Sequence, residues 1–355
     1  MKKGYLVLQD GRVFEGFRFG AEGDTIGELV FTTGMGGYIE TLTDPSFAGQ
    51  IVMHTYPLIG NYGIIEEDFE GESLIKGYVV REWCRQPSNF RAQYDLDTFL
   101  KAKNIPGLYG VDTRELTRII REHGVMNAVI CDEVPADLTT VQNFVIRNPI
   151  KYATSASVSL HPAVGEEKFH VALMDYGAKR NIIRELCKRG CTVTVYPATA
   201  SAEEVLAGHP DGVMLTNGPG DPADNQYQIQ QIAKLFGQVP IFGICMGHQL
   251  AALAAGGTTF KLKYGHRGTN QPVKDLRSGR TYITSQNHGY AVDADSLAGK
   301  GELRFTNAND HTCEGVDYPQ WNAFTVQFHP EACSGPHDTS FLFDRFIENM
   351  KGGAR

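Results

Sequence analysis

The sequence predicts an α/β protein in two parts, a strand-rich α/β first half and then a mostly parallel open α/β sheet. Three observations predict it. Residues 1–150 carry short β-like runs broken by glycine and proline. After Lys168, strand-like and helix-like runs alternate, the order that builds a parallel sheet with helices on both faces. Between these regions, over residues 146–168, periodicity is lost and prolines, serines and alanines collect. The expected organisation is a first domain over 1–150, a linker over 151–168 and a second domain over 169–355. The chain has 355 residues, which suits two domains of about 100–200 residues each.

The first half opens with YLVLQDGRVFEGFRF, a hairpin pattern around Asp10-Gly11. GELVFTTGMGGY, GQIVMHTYP and GYVVREW read as further strands. DLDTFLKAKNI and DTRELTRIIREHG read as helices. In the second of these, Asp112 or Thr113 can cap the start, Leu116, Ile119 and Ile120 form one apolar face, and Gly124 stops it. In the second half the strands are HVALMDY, CTVTVYP, DGVMLTNG and VPIFGIC. The helices between and after them are KRNIIRELCKRG, ASAEEVLAG, QYQIQQIAKLFG and MGHQLAALAAGG. From TTFKLKYGHRGTNQPVKD onward the pattern suggests hairpins and loops, before a last strand in FTVQFHPEA. Such sheets carry their sites at the carboxyl ends of the strands.

Composition narrows the function. The chain is 42% hydrophobic and 21% charged, with 41 acidic and 33 basic residues and a net charge of −8. A nucleic-acid partner is not expected, since a phosphate backbone needs a basic face. No apolar run reaches the ~18 residues of a membrane span. The first residues read as a strand and turn, without the apolar core of a signal peptide. Seven cysteines without an export signal suggest free thiols in a reducing cytoplasm. Cys187 and Cys191 are spaced as helix neighbours, but no second pair completes a zinc site, so no metal is expected.

The strongest chemical signal is Gly243-Ile244-Cys245-Met246-Gly247-His248-Gln249, between an apolar strand and an apolar helix. A sharp strand-to-helix turn exposes its turn residue and needs small neighbours two positions away on each side, which Gly243 and Gly247 supply. The helix start favours a thiolate at Cys245, and its N–H groups can hold an oxyanion. A cysteine is ordinarily a small core residue, and that reading stands for Cys84, Cys131, Cys187, Cys191, Cys313 and Cys333. Cys333, near the histidine considered next, can also line a site without reacting.

A sulfur nucleophile needs a proton carrier, and His329 stands out among the histidines. It lies in Phe328-His329-Pro330-Glu331 at the end of a strand-like run. Proline extends the residue before it, so His329 and Glu331 point the same way and the carboxylate can orient the ring. A lone His-x-Glu is usually a surface pair. His288, in Gln286-Asn287-His288-Gly289-Tyr290, is the rival base, and His248 reads as structural. Thr216-Asn217-Gly218-Pro219-Gly220-Asp221-Pro222 is an open loop at a strand end where Gly220 can present its N–H to a carbonyl; many such loops are plain connections.

Leu215 to Pro222, Gly243 to Gln249 and His329-Pro330-Glu331 together resemble class I glutamine amidotransferases over roughly residues 169–350. The resemblance implies that fold type for the second domain and a Cys-His-Glu triad that hydrolyses the side-chain amide of glutamine. Thr32 to Tyr38, Thr43 to Phe47, Asn61 to Gly63, Gly110 to Arg114 and Asn287 to Tyr290 resemble the small, glutamine-hydrolysing subunits of carbamoyl phosphate synthases.

That family implies Cys245 as nucleophile, His329 as acid–base and Glu331 as its orienter, with Met246 and Gly220 as oxyanion donors. It implies a site for L-glutamine formed by Ser46, Gly218, Gly220, Met246, Gln249, Asn287, Gly289 and Tyr290. Two residues depart from its usual pattern: Met246 for leucine, which keeps volume and N–H, and Tyr290 for phenylalanine. Without the family, Ser46 reads as a turn residue after Asp44-Pro45. Gln249, one helical turn beyond Cys245, reads as able to share its pocket. The family further implies a large ATP-using partner, in a heterodimer or higher oligomer. That partner makes carbamoyl phosphate from bicarbonate and ammonia for arginine and pyrimidine synthesis. No cofactor is expected in this chain; ATP and Mg or K ions are expected only in the partner. Two other readings are an amidotransferase serving a different synthase and a glutamine-binding module with a dead site. The first-half motifs argue against one and the intact triad against the other.

Overall fold

Local pattern and tertiary partners meet differently in the two parts of the computed structural model, which describes residues 2–352. The chain divides between Pro149 and Ile150 into two units. The first contains strands β1 (Lys3–Leu8), β2 (Val13–Gly20), β3 (Thr25–Thr32), β4 (Gln50–His54), β5 (Leu58–Ile59), β6 (Gly77–Val80), β7 (Glu82–Trp83), β8 (Pro106–Tyr109) and β9 (Met126–Cys131). The Asp10-Gly11 hairpin forms as its residues demand: Gly11 has φ 90, and Tyr5 faces Glu15 across the β1–β2 ladder. Seven of these strands close into a barrel in the order β1-β2-β8-β6-β4-β3-β9, with β9 returning to β1. Three of its pairings are parallel, β3–β4, β4–β6 and β6–β8. Helix Thr113–His123 is capped by the Asp112 side chain, which accepts from the Glu115 N–H at 2.9 Å, and it ends at Gly124 with φ 94. Leu116, Ile119 and Ile120 are its buried face.

The second unit contains β10 (Ser159–His161), β11 (Phe169–Asp175), β12 (Cys191–Pro197), β13 (Gly212–Leu215), β14 (Ile241–Ile244), β15 (Thr258–Asp275), β16 (Thr281–Asp293), β17 (Glu302–Asn307), β18 (Cys313–Tyr318) and β19 (Ala323–Val326). They form one sheet in the order β10-β12-β11-β13-β14-β19-β18-β17-β15-β16. Neighbours from β12 through β19 are parallel. Along β11, Val171 and Leu173 enter one core with Ile182, Phe242 and Phe346, while Ala172 and Met174 enter the other with Ile232 and Leu250. Helices therefore cover both faces of this part, and its strands read as unbroken apolar runs.

Beyond β19 the sheet turns antiparallel, so the open sheet is parallel only in its β12-to-β19 part. The stretch expected as hairpins and loops opens with one long antiparallel hairpin, β15 and β16, broken by bulges. Many of their side chains are partly exposed, so no continuous apolar run marks them in the sequence. Residues 151–168, expected as a linker, lie in the second unit. Ile150 is buried in its core. The Thr154 hydroxyl donates to the Asp175 carbonyl at 2.7 Å, and β10 pairs with β12 as an edge strand. An edge strand this short and exposed leaves little periodic signal. No helix among the described residues is long and apolar enough to cross a membrane.

Candidate active site

Cys245 joins β14 to helix Met246–Ala254 with φ 53 and ψ −102, a backbone region costly to any residue with a side chain. Its N–H donates to the Val326 carbonyl at 2.8 Å, extending the β14–β19 ladder by one bond. The flanking glycines are required by contact. A Cβ on Gly243 would stand 2.9 Å from the Thr325 side chain and 3.0 Å from the Gly247 carbonyl oxygen. A Cβ on Gly247 would stand 2.3 Å from the Leu215 carbonyl oxygen. The Gly247 N–H donates to the Thr216 carbonyl at 2.9 Å, which ties the helix start to the end of β13. Met246 is the first residue of that helix, where an N–H has no intrahelical acceptor.

β19 runs parallel to β14 with Ile244 opposite Val326, so the residues after Val326 emerge beside Cys245. The His329 N–H donates to the Ser285 carbonyl at 2.9 Å. Its Nδ1 donates to Glu331 Oε1 at 2.6 Å, since a carboxylate can only accept. Nε2 is buried and has no hydrogen-bond partner among the described residues. Burial and the Lys179 ammonium oppose protonation of His329, but Glu331 and the Cys245 thiol outweigh them and hold it up at about 9. Burial alone would raise the Glu331 carboxyl; His329 and then Lys179 hold it below its usual value. The structure thus brings Cys245, His329 and Glu331 together, all three nearly inaccessible to solvent.

Two further residues brace the acid and were not expected. Lys179 Nζ lies 3.7 Å from Glu331 Oε1, and the Asn181 side-chain amide donates to the Glu331 carbonyl. Both follow the carboxyl end of β11 in Gly177-Ala178-Lys179-Arg180-Asn181. Their position at a parallel-strand end was the available signal, but the pattern there reads as an ordinary helix start.

A second wall comes from β16. The Cys245 thiol donates to the Asn287 carbonyl at 3.7 Å. Gln249 Nε2 donates to the Tyr290 carbonyl at 2.8 Å and to Gln327 Oε1 at 2.9 Å. Cys245, Gln249, Asn287 and Tyr290 are therefore joined directly, and Gly289 lies in the same strand. His288, the rival base, is buried with Nδ1 donating to the Tyr290 carbonyl at 2.8 Å. Burial first, then the charge of His266, holds it well below its ordinary value. His248 is buried against the Thr325 hydroxyl at 2.7 Å and is pushed down to about 3 by burial. In the Thr216–Pro222 loop, Gly218 is forced by the Tyr176 carbonyl, 2.4 Å from where a Cβ would stand, and Gly220 has φ 95. Ser46 belongs to the first unit, in the turn Pro45–Phe47, where its N–H is taken by the Asp44 side chain at 2.9 Å. Cys131, Cys187 and Cys191 are buried away from these groups, Cys313 lies with Sγ 4.0 Å from His248 Nε2, and burial pushes each of these thiols up. Cys333 is exposed.

The histidine shift gives a pH test. A raised imidazole pKa adds stability that is complete below the unfolded value near 6.5 and disappears as pH climbs through about 9. In Glu331→Gln the main raising charge is gone while burial and Lys179 remain. His329 is then expected to lose its proton at a pH lower by roughly 1–3 units. The alkaline limb of the pH–rate profile for amide cleavage should move down by that amount. An unmoved limb would remove His329 from the role of acid.

An elbow cysteine backed by a carboxylate-braced imidazole is how an α/β sheet builds an acyl-transfer site, and residues 172–349 match the family model "Glutamine amidotransferase class-I". The second unit is of that class. The first unit makes it particular, because residues 6–130 match "Carbamoyl-phosphate synthase small chain, CPSase domain". The chain belongs to the carbamoyl-phosphate synthase small chain family. It is 54% identical over 353 residues to the carbamoyl phosphate synthase small chain of Fusobacterium nucleatum subsp. nucleatum, covering 97% of each chain. It is 51% identical over 357 residues to that of Oceanobacillus iheyensis, covering 99% of this chain and 97% of the relative. The corresponding chain of Listeria monocytogenes serotype 4b is 50% identical over 359 residues.

Proposed function

We propose that this glutamine-hydrolysing small chain splits L-glutamine through Cys245, His329 and Glu331 and passes the ammonia to a large ATP-using chain that makes carbamoyl phosphate. The observation that carries the reading is the strained Cys245 elbow beside an imidazole bonded to Glu331 at 2.6 Å. The Cys245 thiolate, whose proton has passed to His329, forms a bond to the glutamine δ-carbon. The oxyanion is held by the N–H groups of Met246 and Gly220. His329 gives a proton to the nitrogen, the C–N bond breaks, and ammonia leaves a glutamyl thioester. His329 then takes a proton from water, which attacks the thioester and frees glutamate and the Cys245 thiolate. The charge on His329 near neutral pH supports the first proton transfer, and Glu331 holds the ring's other nitrogen throughout.

Free ammonia near neutral pH is mostly ammonium, a poor nucleophile, which supports direct transfer to the partner over release. A small chain implies a large one, and the finer reading is a heterodimer or higher oligomer in the cytoplasm that supplies arginine and pyrimidine synthesis. No metal or cofactor is assigned to this chain; ATP, Mg and K ions belong to the large chain. Glutamine is held by Gly218, Gly220, Met246, Gln249, Asn287, Gly289 and Tyr290.

A glutamine-like electrophile tests the site. Treatment with a chloroketone analogue is expected to add one label, on the peptide that carries Cys245, and excess glutamine should block it. Labelling confined to another cysteine would overturn the assignment.

A further inference from the structure

The β16 segment that touches Cys245 is held from behind by a buried polar cluster that no step of the mechanism uses. Glu314 on β18 is fully buried. Its Oε1 accepts from Asn307 Nδ2 at 3.2 Å and its Oε2 from Gln286 Nε2 at 3.0 Å. His266 on β15 lies with Nδ1 3.4 Å from Glu314 and Nε2 2.8 Å from Asp310. His266 and His288 are direct partners across the β15–β16 ladder, and their rings meet edge to face at 4.9 Å. The ligand atoms of His266, His288 and Glu314 lie within 4.8 Å of one another, a spacing that would suit a cation. Both Glu314 oxygens are already engaged by amides, however, and His288 Nδ1 by a carbonyl, so the group works as a hydrogen-bond network.

Counting donors shows what the network controls. The Tyr290 carbonyl can only accept, so His288 Nδ1 carries a hydrogen. His288 Nε2 faces the Gln286 side-chain oxygen at 3.2 Å, and the other end of that amide faces Glu314. An amide has one donating and one accepting end. If Glu314 is a carboxylate it takes the amide N–H, and the amide oxygen then requires a hydrogen on Nε2 of His288. If Glu314 carries a proton the amide turns over and donates to His288 instead. In either arrangement one proton is shared between Glu314 and His288, and Gln286 transmits its position. His288 in turn holds the Tyr290 carbonyl, two residues further along the strand. The carbonyl before it, of Asn287, accepts from the Cys245 thiol, and the Tyr290 carbonyl accepts from both His288 and Gln249.

We propose that Glu314 is a positioning residue for glutamine, acting through Gln286 and His288 to hold the Asn287–Tyr290 backbone against Cys245. The inference rests on the reading of that segment as part of the glutamine site. Its consequence is for substrate binding more than for chemistry, because the network touches neither the sulfur nor His329 Nε2.

The test is glutamine hydrolysis by the full small chain in complex with its large chain. Gln286→Met keeps the volume, cuts the link and leaves no new unpaired charge on His288. It is expected to raise KM for glutamine roughly tenfold or more while kcat changes less than about threefold. Glu314→Leu should do the same where it folds, as followed by thermal unfolding. Glu314→Gln, whose amide can still bond to Gln286, should bring KM back to within about threefold of the parent. A folded Gln286→Met protein with the parent KM would overturn the proposal. So would an equal fall in kcat and kcat/KM, or a Glu314→Gln protein as impaired as Glu314→Leu. Asn287→Ala separates the two levels. If it leaves KM unchanged, the segment is not a glutamine wall and the inference goes with that reading. If it raises KM while Gln286→Met does not, only the network's role is lost.

Discussion

Replacing Cys245 with alanine is expected to lower glutamine hydrolysis by at least about 10³-fold, because the residues of such a site act as a unit and removal of the nucleophile leaves only binding and oxyanion terms. The fold should barely notice. Alanine keeps the N–H that donates to Val326 and occupies the same strained backbone. The lost thiol contact to the Asn287 carbonyl is long, 3.7 Å, and a small cavity is expected to cost about 1 kcal/mol. A complex containing this variant should still make product from added ammonia, because that chemistry belongs to the large chain in the proposed reading. Glutamate release at the parent rate from pure variant protein would disprove Cys245 as nucleophile. Loss of ammonia-dependent synthesis as well would mean that the substitution acts on assembly instead.

The second large effect is structural. In an exposed helix, Gly→Ala stabilises by about 0.8–1 kcal/mol. At Gly247 the sign should reverse. The new Cβ would stand 2.3 Å from the Leu215 carbonyl oxygen and 2.7 Å from the Leu215 carbonyl carbon. Leu215 ends a central strand paired with β11 on one side and β14 on the other, so it cannot yield. The helix start must move away, which breaks the Gly247 bond to Thr216 and displaces Cys245 and Met246. Overpacking of this kind costs about 1–3 kcal/mol, and a displacement near 1 Å at a reacting atom costs about 10²-fold in rate. Urea unfolding and kcat, measured on Gly247→Ala, should both fall. Stability within about 0.5 kcal/mol of the parent would show that the elbow has slack.

Much of the site was legible because its constraints are local. An elbow needs small residues at fixed offsets from its turn, and Gly243 and Gly247 stand at those offsets. An extended His-Pro-Glu places two side chains on one side two residues apart, and the 2.6 Å bond between His329 and Glu331 is that geometry realised. Lys179 and Asn181 were not legible, because they reach Glu331 only through the position of the helix that follows β11. Neither was Glu314, one of two acidic residues in the strand CEGVDY, whose partners on β15, β16 and β17 are set by the antiparallel part of the sheet. Barrel closure in the first unit was hidden for a similar reason. A strand's own sequence records which face is buried but not which strand lies beside it.

The sequence by itself determined many of the elements, the elbow and the histidine–carboxylate pair, because turns, caps and two-residue alternation are written in neighbouring side chains. Only the tertiary structure decided that the pair stands beside the sulfur. That juxtaposition depends on β19 lying next to β14 with Ile244 opposite Val326, a pairing fixed by the packing of two helix-covered faces and invisible to either strand alone.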